Sequence, residues 1–261
     1  MHVVVCIKQV PEITEVSIDR RTNTLVREGV PSIINPFDMY AIEEGLRLKE
    51  AHGGTVSVIS MGPPQVESSL KEAVAMGADR AVLLSDSRFA GADTLATAYT
   101  LAQGIRRLGQ FDLVICGKQA IDGDTGQVGP GLAEELGIPH VTYVRRIREV
   151  GDGMLRVERM VEGGWELIST TLPALISVVK DINEPRLPSL KGIMRAKRTP
   201  VTVWGLEELG CDPQRVGLTG SPTEVVRIWT PEPRESGELL QGDPEQQARQ
   251  LVERLRGLGV I

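Results

Sequence analysis

A glycine-rich segment from Gly117 to Pro130 has the residue types of a phosphate-binding loop. Glycines stand at 123, 126 and 129, between an apolar run that ends at Cys116 and a helical pattern over 127–136. Such a turn exposes backbone N–H groups beside the positive end of a helix, an arrangement that binds phosphate without lysine. A solvent-exposed loop rich in turn residues has the same composition, and spacing alone does not separate the two interpretations.

This loop matches neither of the common phosphate-loop motifs. No G-x-G-x-x-G follows the first apolar run, and Lys118 is not in a G-K-[ST] context. Phosphoryl transfer is therefore not indicated.

Two further polar clusters stand at predicted helix starts. Asp93 or Thr94 would cap a helix over 93–108 and contribute ~1 kcal/mol. Alternatively, the same helix start, with the hydroxyls of Thr94 and Thr97, faces the second phosphate of a dinucleotide. Asn35, which precedes Pro36, is either part of a helix entry or a polar group for an adenine or ribose.

Other kinds of chemistry find no support in the residues. The three histidines are scattered and cannot form a metal site, and no nucleophile stands in a G-x-S-x-G context. Cys6 and Cys116, at predicted strand ends, are interpreted as packing residues. A net charge of −6 and a pI near 5.3 argue against nucleic acid as a partner.

The elements that position these clusters follow a strand–helix alternation. Apolar runs at 3–7, 55–60, 80–84 and 113–116 are separated by helical patterns at 38–51, 65–76 and 93–108. This order predicts a doubly wound, mostly parallel sheet between two layers of helices, a three-layer α/β/α fold. Ligands bind such sheets outside the carboxyl ends of the strands, near the point where strand order reverses, and the polar clusters all follow apolar runs.

The remaining segments add to this sheet. Residues 14–26 alternate polar and apolar side chains around 20–22 and predict a surface hairpin. Residues 141–150, 154–161 and 165–171 are strand-like and precede an apolar strand at 174–179, so we expect an antiparallel extension.

From residue 183 onward the proline content rises and the apolar runs shorten. We therefore expect a nucleotide-binding α/β domain over 1–182, a recognition loop with a short helix over 183–199, and a C-terminal arm over 200–261. An amphipathic helix near 244–258 would let the arm pack on a partner chain.

The compartment is expected to be cytoplasmic. The apolar run that follows Met1 has no basic region before it, and no stretch reaches the ~18 apolar residues of a membrane span. Three cysteines without a C-x-x-C pair suit a reducing compartment.

Long stretches of the chain resemble the β subunit of electron-transfer flavoproteins. The segment Val157-Glu-Arg-Met-Val-Glu-Gly-Gly-Trp-Glu-Leu-Ile168, followed by Pro173-Ala-Leu-Ile-Ser177, carries the family pattern in full. Asn35-Pro-Phe-Asp38, Gly117-Lys-Gln-Ala-Ile-Asp122 and Asn183-Glu-Pro-Arg186 stand beside it in the right order.

The resemblance implies an obligate heterodimer with a flavin-carrying α subunit. In the family, the β chain holds either AMP as a structural ligand or a second FAD that takes electrons from NADH in electron bifurcation. Redox partners are of the acyl-CoA dehydrogenase or quinone-reductase type. Leu190 matches the exposed leucine of the recognition loop that docks into a dehydrogenase. The residues expected to contact the nucleotide are Cys6, Asn35, Met61, Asp93, Thr94, Thr97, Ala120, Asp122, Thr125, Gly126, Gln127, Val128 and Gly129.

One departure bears on the choice of nucleotide. The loop has Thr125-Gly-Gln-Val128 where the AMP-only type tends to have Cys-Asn-Gln-Thr, and the run from Ser85 to Thr97 resembles the bifurcating type. FAD is therefore the expected ligand, with AMP as the alternative.

Two hypotheses outside the family are a nucleotide-binding regulatory module of the stress-protein type and a hydrolase or synthetase acting on adenylates.

Overall fold

The computed structural model describes residues 1–12, 18–19, 24–25, 31–227, 229, 237 and 239–261. The chain forms two compact units, Met1–Val226 and Arg227–Ile261. The strands are β1 (His2–Cys6), β2 (Gln9–Pro11), β3 (Ile18–Asp19), β4 (Thr24–Leu25), β5 (Ser32–Ile34), β6 (Thr55–Met61), β7 (Arg80–Leu84), β8 (Leu113–Gly117), β9 (His140–Gly151), β10 (Met154–Val161), β11 (Gly164–Thr171), β12 (Ala174–Val178) and β13 (Val201–Trp204). The α-helices are α1 (Pro36–His52), α2 (Glu67–Met76), α3 (Thr94–Leu108), α4 (Val128–Leu136), α5 (Leu190–Arg198), α6 (Leu206–Leu209) and α7 (Pro244–Gly257).

Nine strands form one sheet in the order β11-β10-β9-β12-β8-β1-β6-β7-β13. Neighbours are parallel from β9 to β13, whereas β10 is antiparallel to both β9 and β11. The predicted mostly parallel sheet with an antiparallel extension is confirmed. The chain runs from β1 outward through β6 and β7 and then returns to β8 on the other side of β1. Strand order therefore reverses between β1 and β8.

Helices cover both faces of the parallel part of the sheet. Val3 and Val5 point to one face, where α1, α2 and α5 pack, whereas Val4 and Cys6 point to the other, where α3, α4 and α6 pack. Strands buried on both faces need continuous apolar runs, which explains why β1, β7 and β8 are recognisable from sequence. The result is the expected three-layer α/β/α arrangement.

The predicted elements lie close to the observed ones in residues 1–182. The helical pattern predicted at 65–76 begins with a 3-10 turn at Pro64–Val66, and α2 starts at Glu67. Of the predicted hairpin at 14–26, Ile18–Asp19 and Thr24–Leu25 pair as antiparallel strands, and the rest lies outside the described residues.

The first compact unit extends beyond the domain boundaries predicted at 182 and 199. β13 adds to the sheet edge parallel to β7, and side chains after it are buried with the α3 layer. The buried side chains of this segment are Trp204, Leu206, Leu209, Cys211 and Val216.

The second unit contains α7, whose start is fixed by a reciprocal capping box. The Asp243 carboxylate accepts the Gln246 N–H at 2.9 Å, and the Gln246 side chain accepts the Asp243 N–H at 3.3 Å. Packing of this segment on a partner chain remains a prediction. Among the described residues, no helix is both long enough and apolar enough to cross a membrane.

Candidate functional site

The loops that follow β1, β6, β7 and β8 leave the same edge of the sheet, because these strands are parallel. The predicted nucleotide contacts lie at the ends of β1 and β6, just before α1, in the loop after β8, and at the starts of α3 and α4. Cys6 and Cys116 are directly paired in register at the ends of β1 and β8. The candidate site is therefore at the switch point, where doubly wound sheets bind ligands.

Asp38, in the first turn of α1, joins the two strand ends across this switch point. Its Oδ2 accepts the backbone N–H of Lys8 at 2.8 Å, and its Oδ1 accepts the backbone N–H of Gly117 at 3.1 Å. A Cβ on residue 117 would lie 2.4 Å from Asp38 Oδ1. Only glycine therefore fits at the end of β8.

Burial raises the pKa of Asp38 to about 7, against the hydrogen bonds from Lys8, Asn35 and Gly117, which lower it. The neighbouring thiols are also buried. Burial raises the pKa of Cys116 to about 12, and burial together with Cys116 and Asp38 raises the pKa of Cys6 well above its ordinary value. Both cysteines are protonated packing residues at neutral pH, as predicted from their strand-end positions.

Asn35 holds the next part of the loop after β8. Its Nδ2 donates to the carbonyl of Gln119 at 2.9 Å, and its Oδ1 accepts the N–H of Ile121 at 3.1 Å. The side chain is 1% exposed. Both of its polar groups are thus engaged by the loop.

Lys8 and Asp122 tie the same two loops together at the surface. The Lys8 ammonium donates to both carboxylate oxygens of Asp122, at 2.6 and 2.8 Å. The side chains are 49% and 27% exposed, so the pair contributes at most about 1 kcal/mol. Asp122 is engaged by this lysine within the predicted nucleotide-binding loop.

The start of α4 has no side-chain cap. Its N-cap residue is Gln127, whose side chain makes no hydrogen bond to the first turn, and Pro130 has no N–H to satisfy. The helix packs closely on β8, since a Cβ on Gly129 would lie 3.0 Å from the Cys116 sulfur. The first backbone N–H groups of α4 therefore point out of an uncapped helix end.

Part of the loop before α4 is already hydrogen-bonded within the protein. Besides the amides held by Asp38 and Asn35, Lys118 N–H donates to the carbonyl of Val178 and Asp124 N–H to that of Ala120. Gly126 has φ +63°, in the left-handed region that glycine adopts without strain. The backbone N–H groups of residues 117, 118, 121 and 124 are thus engaged within the protein.

The start of α3 lies beside the start of α4. The Thr94 hydroxyl donates to Gln127 Oε1 at 3.1 Å, which brings together two clusters that the sequence could only place at the same sheet edge. Asp93 caps α3, since its Oδ1 accepts the N–H groups of Leu95 and Ala96 at 2.9 and 3.1 Å. Its Oδ2 accepts from the Thr223 hydroxyl at 2.8 Å.

Three further residues predicted to belong to binding sites lie in β6, α3 and α5. Met61 ends β6, one strand from β1, and is partly buried against the α3 layer. Thr97 lies in the first turns of α3, where its N–H donates to the Asp93 carbonyl at 3.0 Å. Leu190 is the first residue of α5, which packs with α2 on the opposite layer from α3 and α4.

Sequence reasoning gave no specific role to three residues that shape the site, namely Asp38, Lys8 and Gly117. Asp38 looked like an ordinary acidic residue in a helix first turn, where it complements the helix dipole. The available signal was its position three residues after Asn35, in a helix that follows the β1 loop. No group of three or more metal-ligating side chains occurs within the described part of the chain.

The site can be compared with known proteins. The family model described as "Electron transfer flavoprotein domain" matches residues 22–209, well over half of the chain. This chain belongs to the electron transfer flavoprotein family. Its role is therefore electron transfer, and family membership sets aside the regulatory-module and adenylate-enzyme alternatives.

Curated relatives match along almost the whole chain. The electron transfer flavoprotein subunit beta of Thermoanaerobacterium thermosaccharolyticum is 51% identical over 100% of both chains. The caffeyl-CoA reductase-Etf complex subunit CarD of Acetobacterium woodii is 47% identical, also over 100% of both. Protein FixA of Azorhizobium caulinodans is 48% identical over 90% of this chain and 86% of its own. The likeness is thus to β subunits of the electron transfer flavoprotein family.

Proposed function

We propose that this protein is the β subunit of a heterodimeric electron transfer flavoprotein and that it binds an adenine nucleotide at the switch point. The observation that carries the proposal is the uncapped start of α4, joined through Gln127 to Thr94 at the start of α3. Free backbone N–H groups at a helix start favour an anion, and the loop before α4 has glycine where backbone must approach closely.

The residues present fit a bound FAD or AMP. Residues 125–129 would contact a phosphate through backbone N–H groups, and Cys6, Met61 and Ala120 would line the rest of the ligand. Asn35 would support the loop rather than contact the ligand through its amide, because that amide bonds Gln119 and Ile121. FAD, when bound, supplies the exchange of electrons with donors and acceptors, and the chain binds and orients it.

FAD is the leading candidate, by the departure of Thr125-Gly-Gln-Val128 from the AMP-only pattern and the hydroxyls of Thr94 and Thr97 beside the α4 start. Electron bifurcation from NADH would accompany it. AMP, serving as a structural ligand, is favoured by one observation: Asp93 already caps α3, so the main-chain N–H groups there are occupied.

Partner proteins follow from the same proposal. The β chain would pair with a flavin-carrying α subunit and exchange electrons with partners of the acyl-CoA dehydrogenase or quinone-reductase type. A relative named as part of a caffeyl-CoA reductase-Etf complex supports a partner that handles acyl-CoA substrates.

The nucleotide content of the purified heterodimer tests the site. We expect two FAD per heterodimer by visible spectrum and acid release, whereas one FAD with one AMP would select the structural alternative. Gly126→Ala should lower the content by one nucleotide, because alanine strains the loop at φ +63°.

Gly137→Ala is the matched control, since Gly137 ends α4 at φ +69° with nothing within 4 Å of a Cβ. Alanine there introduces similar strain away from the loop and should leave the content unchanged. A Gly126 variant that retains every nucleotide would contradict the assignment of residues 125–129.

Leu190 is proposed as the docking residue of the recognition loop. It is 83% exposed at the start of α5, and the Ser189 hydroxyl caps this helix by accepting the Gly192 N–H at 3.0 Å. A capped helix start fixes the direction of the leucine, so the side chain is available to an apolar pocket on a redox partner.

Leu190→Ala should raise the KM for an acyl-CoA dehydrogenase about tenfold, because burial of a leucine contributes roughly 1.5–3 kcal/mol. Stopped-flow or steady-state electron transfer measures the change, with nucleotide content unaltered. Leu187→Ala is the control, since Leu187 is 90% exposed in the same loop and tests whether exposure alone is sufficient. Equal KM values for wild type and Leu190→Ala would reject the docking role.

A further inference from the structure

We propose that Asp38 is a positioning residue for the nucleotide: its carboxylate ties the ends of β1 and β8 together and thereby fixes the two loops that border the ligand. This inference rests on the proposed nucleotide site. Asp38 is not itself assigned a contact with the ligand, and its effect is exerted through the backbone of Lys8 and Gly117.

Asp38 links β1 and β8 just beyond their last paired residues, Cys6 and Cys116. After these paired residues the chain enters separate loops, and the Asp38 carboxylate accepts one backbone N–H from each: Oδ2 from Lys8 and Oδ1 from Gly117. An ionised carboxylate accepts with both oxygens, whereas a protonated one keeps a single good acceptor. Protonation would therefore weaken one of the two attachments.

Asn35 and the first turn of α1 hold the loop after β8 at several backbone positions. Asp38 N–H donates to the Asn35 carbonyl at 2.8 Å, which fixes the two side chains relative to each other. Asn35 then holds Gln119 and Ile121, and Asp38 holds Gly117. A displacement of the loop at residue 117 is therefore transmitted toward residues 125–129.

Among the titratable groups around it, Asp38 is the one expected to change charge near neutral pH. The titratable groups that interact with Asp38 are the buried thiols of Cys6 and Cys116 and the ammonium group of Lys8. In the loop after β8, the Lys118 ammonium lies over the Phe37 ring and the Asp122 carboxylate is paired with Lys8. Burial raises the pKa of Asp38 to about 7.

Nucleotide binding should therefore be linked to proton release. If the arranged loops require ionised Asp38, bound nucleotide favours the ionised form, and affinity rises as pH increases from 6 to 8. A residue that merely stabilises the fold would not produce this coupling, because its protonation would not differ between free and bound states.

The experiment uses the co-expressed heterodimer, with FAD and AMP as titrants after removal of bound nucleotide. Asp38→Asn keeps the shape of the side chain but replaces one acceptor by an N–H₂ donor. At pH 8 we expect about tenfold weaker binding than wild type, the loss that accompanies one buried hydrogen bond. At pH 6 the two proteins should converge.

Asp79→Asn is the matched control. Asp79 accepts the backbone N–H of Val56 at 2.8 Å and the Lys49 ammonium at 2.5 Å, so it also braces backbone, but at the opposite edge of the sheet. We expect no change in nucleotide affinity from this substitution. Calorimetry in two buffers with different ionisation heats should find proton release on binding in wild type and Asp79→Asn, but less in Asp38→Asn.

The outcomes separate the two levels of the proposal. Absence of adenine nucleotide binding by wild type would overturn the proposed function and this inference together. Binding by wild type with an equal affinity and a parallel pH profile for Asp38→Asn would overturn the positioning role alone. If Asp38→Asn does not fold, Asp38→Ser replaces it, and the same weakening at pH 8 is expected.

Discussion

At the scale of single residues, Asp38 has opposite effects on the fold and on the candidate site. Its folded pKa is about 7, above the ordinary 3.8 of an aspartate, because burial disfavours the charged form. The folded state therefore binds the proton more tightly than the unfolded state. The resulting contribution to stability is full below pH 4 and is lost as pH rises through about 7.

This sign leads to a measurable difference between wild type and Asp38→Asn. Between pH 4 and pH 7 the free energy of unfolding of wild type should fall relative to that of Asp38→Asn, by an amount on the order of 1–4 kcal/mol. Above pH 8 the difference between the two proteins should stay constant. Urea unfolding at several pH values measures this difference. The contributions of the other carboxylates to stability are the same in both proteins and therefore cancel. A difference that does not vary with pH would show that Asp38 has an ordinary pKa.

Single-residue roles could be predicted from sequence only where their partners are close along the chain. Asp93 was expected as a helix cap, and its partners Leu95 and Ala96 are two and three residues away. Asp38 was missed because its two backbone partners are 30 and 79 residues away. The sequence predicts a switch point, but not which side chain spans it.

At the scale of elements, the proposed recognition loop is attached to α1 by hydrogen bonds and ion pairs. The Arg186 guanidinium donates to Glu43 at 2.7 and 2.9 Å and to Glu50 at 2.5 and 3.1 Å. Asn183 donates to the Tyr40 carbonyl at 3.0 Å. Glu43 is buried, so this attachment is stronger than a surface ion pair.

Arg186→Lys should loosen the loop that carries Leu190 while the rest of the fold is retained. Lysine keeps the charge but cannot contact both carboxylates in a planar fork, so we expect about tenfold faster tryptic cleavage after Lys191. Arg249→Lys is the control, because its pair with Glu245 is more than three-quarters exposed on α7 and contributes little. Unchanged cleavage in Arg186→Lys would contradict the anchoring.

Elements buried on both faces could be predicted, and elements at the sheet edge could not. β1, β7 and β8 have apolar runs that fill the sheet between two helix layers. β13 contributes only four residues and exposes Val203, so its pattern does not differ from that of an extended loop. Its assignment depends on pairing with β7, a contact that local sequence does not encode.

At the scale of the whole molecule, the nine-stranded sheet ends in two unlike edges. β13 closes one edge with a short strand, whereas β11 closes the other with eight residues that are largely exposed. Trp165 and Leu167 are each about half exposed on β11. The parallel arrangement could be predicted from the strand–helix alternation, but the order of the strands and the extent of the first compact unit, to Val226, could not.

The buried tryptophan of β13 gives the protein an internal optical probe. Trp204 is 8% exposed, with the guanidinium groups of Arg80 and Arg107 at 5.6 and 5.3 Å from its ring, whereas Trp165 and Trp229 are 50% and 67% exposed. Iodide added to the solvent would quench the two exposed indoles first. The emission that survives then reports whether β13 is still docked on β7.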